Sequence, residues 1–180
     1  MSKTLFVIVC IFLNQGLVAQ QKKNCHHFPI PARTEKRLFY LQRNLNANTV
    51  VYDANFDAHG WLDSENPVDI YWIRYEEKGR TMPLRVAEKR LAFGLKIKQL
   101  DASGKAYKVT LNATDKRDIY IRQEKPYEVT AFVKINGEEV PIDHIYVQSE
   151  GNKVYSKVAY IDLFGMPQSE STQTRERIFF

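Results

Sequence analysis

Cysteine is scarce in this chain. Its 180 residues hold two, Cys10 and Cys25, and the first lies inside an N-terminal apolar run. That leaves one thiol for the folded part, so no internal disulfide framework is expected, and burial has to hold the domain together. Long apolar runs are missing too. The run from Thr4 to Leu13, TLFVIVCIFL, covers about ten residues, too few to span a bilayer as a helix. Charge of one sign is not concentrated either. Basic and acidic residues interleave, as in RYEEKGR and ATDKRD, which leaves no single-sign patch of the kind nucleic acid requires. No G-x-S-x-G occurs, so a nucleophile elbow is not expected. Gly79, Gly104 and Gly137 stand in turns and make no phosphate loop.

What is present begins with an export signal. Lys3 supplies a positive start, Thr4 to Leu13 the apolar core, and Leu17-Val18-Ala19 small residues ahead of a cleavage point. Residues 1–20 are read as a signal peptide cut after Ala19 or Gln20, with the mature protein periplasmic or extracellular and without a membrane span. Removal of Lys3 with that segment turns 26 basic residues into 25, against 21 acidic, a net charge of +4. Residues 21–36 are polar and carry two prolines, and read as an extended tail. Residues 37–165 form the expected domain, and residues 166–180 a polar C-terminal tail.

From Arg37 onward, short runs rich in Val, Ile, Tyr and Phe alternate with Gly, Asn, Asp and Pro, which is the pattern of strands and turns. Strands are expected at 38–43, 49–53, 69–76, 93–99, 106–112, 118–123, 129–135, 139–148 and 154–163. Tyr107, Val109 and Leu111 oppose Lys108, Thr110 and Asn112, a period of two with one wet face, which favours antiparallel pairing. Asn136-Gly137 is the strongest hairpin signal. Pro141 belongs at an edge or a bulge, because it has no amide to donate. Thr81 to Leu91, with Leu84, Ala87 and Leu91 at helical spacing, predicts one short helix; Leu84 to Ala87 as a strand is the rival. The expected fold is all-β, an antiparallel sandwich of about eight or nine strands, with a closed, lipocalin-like barrel as the alternative.

Several residues draw attention as chemistry. Residues 53–65, DANFDAHGWLDSE, open like a calcium loop, with Asp53, Asn55 and Asp57 at alternate positions. The glycine falls two places late and the closing acid does not fit. Turn formation, in which Asn and Asp side chains bond their own backbone, is the preferred reading, with calcium as the sharper alternative. Cys25-His26-His27 offers thiolate and imidazole, but three adjacent residues do not close a tetrahedral metal site. Asp143 and His144 are strand neighbours, expected to face opposite sides and not to pair. Tyr71, Trp72 and Tyr75 could line a pocket, although aromatic strand residues belong mostly to cores.

The pieces LFYLQRNLNANTVVYDAN, PVDIYWIRYEE and LAFGL make residues 37–165 resemble a family of exported bacterial domains catalogued without a function, domain of unknown function 4833. The resemblance implies a single exported domain of bacterial source and brings no catalytic residue. It directs attention to Asn46, Asn48, Tyr52, Asn55, Pro67 and Trp72, with Asn48 and Tyr52 as shapers of a site or of the first hairpin. The expected role is a non-catalytic exported binding module of unknown partner. The alternatives are a carrier with an apolar cavity and a glycan-active enzyme using Asp53, Asp57 or Glu76.

Overall fold

The structure, a computed structural model, describes residues 28–151, 157–166 and 173–180. Residues 1–20, read above as a signal peptide, and Cys25, His26 and His27 lie outside the described residues.

Among the described residues, eleven strands carry the fold. They are β1 (Arg37–Arg43), β2 (Asn46–Ala54), β3 (Val68–Arg74), β4 (Arg80–Pro83), β5 (Leu95–Gln99), β6 (Ala106–Leu111), β7 (Asp118–Lys125), β8 (Glu128–Ile135), β9 (Glu138–Glu150), β10 (Lys157–Gly165) and β11 (Arg175–Phe179). The order across the sheet is β4-β3-β2-β1-β9-β8-β7-β6-β5, with β10 and β11 branching from β9. The all-β expectation holds, but its finer form does not. One continuous curled sheet, a half-barrel, replaces two antiparallel sheets, and β1 pairs β9 in parallel, Tyr40 opposite His144. Nor is the barrel closed, because β4 and β5 stand at opposite ends of the order and do not pair with each other.

The long β9 explains this topology. Its first residues pair with β8 and its later ones with β1 and β10. Pro141 sits at the changeover, the last β9 partner of β8, where its missing amide costs least. The concave face gathers the core, with Phe39 and Tyr52 stacked 4.3 Å apart and Tyr107, Ile121, Ile142 and Ile145 fully buried. Each such side chain contributes roughly 1.5–3 kcal/mol by leaving water.

Two expectations shift along the chain. The helix starts at Val86, not Thr81, because Lys78 and Gly79 take positive φ and turn Arg80–Pro83 back onto β3 as β4. Helix α1 (Val86–Glu88) begins where the Glu88 carboxylate accepts from the Arg85 amide at 2.8 Å, and it runs into a π-helical turn at Lys89–Phe93. Of the expected apolar helix face only Leu84 is buried, while Leu91 is 74% exposed. At the other end of the chain, residues read as a polar tail supply β11, which pairs with β10.

Candidate functional site

Alternation on β2 and β3 divides the residues singled out from sequence. Val50 lies opposite Trp72 and Val51 opposite Tyr71, so the two aromatic neighbours face opposite sides of the sheet. Asn48, Tyr52 and Trp72 fall on the concave side. The Asn48 amide donates to Glu76 Oε2 and accepts from the Glu76 N–H, both at 3.2 Å, which clamps the 3-10 turn Tyr75–Glu77. The Tyr52 hydroxyl donates to the Phe93 carbonyl at 2.8 Å, and Trp72 Nε1 donates to Glu88 Oε2 at 3.2 Å. The Arg43 guanidinium lies over the rings of Trp72 and Phe93. These contacts fasten the helical segment over one end of the half-barrel.

Residues 53–65 are stapled to the far side of the curl. Asp57 Oδ1 accepts from the amides of His59 and Trp61 at 2.8 and 2.9 Å. Asp63 Oδ1 accepts from Glu65 and Asn66. Asn55 donates to the Asn66 carbonyl. Asp53 turns away to meet Arg37. The alternating acids thus serve separate partners, and among the described residues no three His, Cys, Asp or Glu side chains converge as a metal site. Gln123 of β7 completes the staple, accepting from the Leu62 N–H and donating to the Gly60 carbonyl, both at 2.7 Å.

A different cluster forms on the outer face. Arg37 Nε meets Asp53 Oδ1 at 2.6 Å, and the Tyr71 hydroxyl donates to Asp53 Oδ2 at 2.7 Å. Burial, then the hydrogen bond to Asp53, pushes the Tyr71 phenol up to about 12. Burial also raises Tyr75, against the opposing charge of Arg37. One row further along, the His144 ring is sandwiched between Tyr40 at 4.9 Å and Phe164 at 4.2 Å, both nearly parallel to it. Burial first, and the Asp143 charge second, raises the Tyr40 phenol.

Asp143 and His144 pair after all, Nδ1 to Oδ2 at 2.7 Å. The cause is a bulge: Phe164 sits opposite His144 but Gly165 opposite Ile142, so Asp143 is an extra residue in β9. A bulge re-aims the side chains beside it and breaks strict alternation. A second bulge lies in β1, where Arg37 faces Asp53 and Phe39 faces Tyr52, leaving Leu38 extra.

Between these two bulges is a cavity of about 140 Å³, lined by Ile30, Arg33, Arg37, Leu38, Tyr40 and Asp143 among others. The segment before β1 covers it, pinned by a 2.9 Å hydrogen bond from the Gln42 amide to the Pro29 carbonyl. The Arg37 side chain is only 8% exposed, and its Nη1 has no hydrogen-bond partner among the described residues. A buried charged donor left in that state is costly, and such a group calls for an acceptor.

Sequence reading reached Tyr71, Tyr75 and Asp53 of this face but missed Arg33, Arg37 and Tyr40, and it set aside Asp143. No local motif marks them. The parallel pairing of β1 with β9 brings them together across about 100 residues of chain.

A family model described as Domain of unknown function (DUF4833) matches residues 39–177. No curated protein and no solved structure matches the chain.

Proposed function

The chain belongs to the DUF4833 family, and from that premise we propose that it is an exported, non-catalytic binding module whose site is the cavity between the bulges of β1 and β9. The observation that carries this is Arg37, a lining residue of that cavity whose side chain is only 8% exposed and whose Nη1 has no hydrogen-bond partner among the described residues. Two features support binding here over the other readings. Phe39, Tyr52, Tyr107 and Ile121 occupy the interior that a carrier would keep open. Asp53, Asp57 and Glu76, the acids an enzyme would use, are tied to Arg37, to turn amides and to Asn48 respectively. Strand addition is also disfavoured, since the edge strand β5 carries Lys96 and Lys98, the edge strand β4 ends in Pro83, and β11, the edge of the branch, carries Arg175 and Arg177.

The test is shift mapping by nuclear magnetic resonance with small carboxylates, amines, amides and polyols as probes. Amide shifts centred on residues 37–40 and 142–145 are expected. Shifts confined to the concave side would overturn the assignment. The export half is checked by the mass of chain recovered from periplasm or medium: loss of residues 1–19 or 1–20 supports it, and retention of Met1 ends it.

A further inference from the structure

The interleaving of charges gives out after Glu77. From Lys78 to Leu100 the chain carries seven basic residues against one acid, Glu88. The whole chain has 26 basic and 21 acidic residues, so 19 and 20 remain elsewhere, and this stretch alone accounts for the positive net charge. Glu88 is spent inside the fold, on the Arg85 amide and on Trp72 Nε1. Among the described residues, Arg85, Lys89, Arg90, Lys96 and Lys98 form no ion pair.

The fold puts this stretch where the sheet is open. β4 and β5 are the two ends of the strand order, and residues 84–94 are the chain that joins them. That segment is fastened from inside. Tyr52 holds the Phe93 carbonyl, Trp72 holds Glu88, and Asn112 Nδ2 donates to the Lys89 carbonyl at 2.8 Å. Its free side carries aliphatic residues left in water: Val86 is 84% exposed and Leu91 74%. Ile97 of β5 and Leu100 just after it are exposed as well.

The arrangement selects the kind of partner. A protein partner needs a matching surface of about 800 Å² with an apolar centre. Here Arg85, Lys89 and Arg90 stand between the apolar side chains, and Lys96 and Lys98 flank Ile97. A fluid lipid surface needs no matching shape. Separate aliphatic tips enter its headgroup boundary while the cations beside them meet phosphates. Independently of the cavity, we propose that residues 85–100 seat this protein peripherally on a membrane surface rich in anionic phospholipid. Val86 and Leu91 enter the headgroup boundary, and Arg85, Lys89, Arg90, Lys96 and Lys98 supply the electrostatic attraction.

The experiment is co-sedimentation of the full mature chain with vesicles of phosphatidylglycerol and phosphatidylcholine in equal parts, and with vesicles of phosphatidylcholine alone. Sedimentation with the anionic vesicles only is expected at about 0.1 M salt, and its loss at about 0.5 M. Arg85→Gln with Arg90→Gln, which leaves the edge lysines in place, is expected to weaken binding about 25-fold, roughly fivefold per charge. Val86→Ser with Leu91→Ser is expected to weaken it about tenfold. All four side chains are exposed, and an unchanged melting temperature checks that each variant is folded. Equal sedimentation with phosphatidylcholine alone, or none with either vesicle, would overturn the proposal. Poly-L-glutamate bound as tightly as the anionic vesicles, with no loss in the double serine variant, would assign the surface to an acidic macromolecule and overturn the lipid.

Discussion

Gln123 holds Gly60 across the curl of the sheet, donating to its carbonyl at 2.7 Å, and the same side chain accepts from Leu62. The Gly60 carbonyl keeps a second donor, the Tyr127 amide, but among the described residues Leu62 has no other acceptor. Gln123→Leu therefore strands one buried N–H and is expected to cost about 2 kcal/mol in urea unfolding. A loss under about 0.5 kcal/mol, the scale of an ordinary surface change, would show that the staple does not hold the loop.

Asp57 acts on its own turn. Asp57→Ala removes acceptors for two amides and is expected to cost about 1 kcal/mol, as loss of a helix cap does. The melting temperature of the unmodified protein should be the same with calcium and with chelator. A calcium-dependent rise that Asp57→Ala abolishes would restore the cation reading, because a ligand of the folded state alone must stabilise it.

Asp162 sets the acid limit. Its side chain is 4% exposed and meets both Arg175 and Arg177 of β11. Burial pushes its carboxyl up, but the hydrogen bonds from Arg177 and Arg175 outweigh this and hold it below the usual range. A depressed folded value means stability that is present above the unfolded pKa of ~3.9 and fades as pH falls through the lower folded value. Asp162→Asn should cost about 2 kcal/mol at neutral pH, between the limits for exposed and buried pairs. The gap from wild type should close in acid. A gap that is constant with pH would assign the loss to packing.

Tyr71 sets the alkaline limit. Its phenol, raised to about 12, should ionise late in an absorbance titration. Stability tied to a raised folded value is intact below the unfolded value near ~10 and is lost as pH rises through the folded one. Tyr71→Phe should flatten unfolding curves in that window, and an unchanged curve would remove Tyr71 from the account.

Local order was written plainly in this chain. Residues 106–111 show period-two alternation and form β6. Asn136 and Gly137 both take positive φ, at 52° and 91°, as their hairpin requires. The strands that escaped notice are those made by partners. β4 is four residues ending in proline and exists because a tight turn lays it on β3. β11 is held through Asp162 and through a Glu176–Arg117 ion pair. The outer-face site was hidden for the same reason. One-residue bulges at Leu38 and Asp143 displace the alternation rule on which strand reading depends, and only the β1–β9 register shows where they fall.

That register has a temporal consequence. Ribosomes release a polypeptide from its amino end, and Tyr40 must wait for His144 before its edge of the ribbon is covered. The β5–β8 meander has nearby partners and can assemble early, whereas the opening hairpin stays sticky until β9 arrives. Maturation of this molecule is thus governed by its late middle, and a chain truncated before residue 144 should clump.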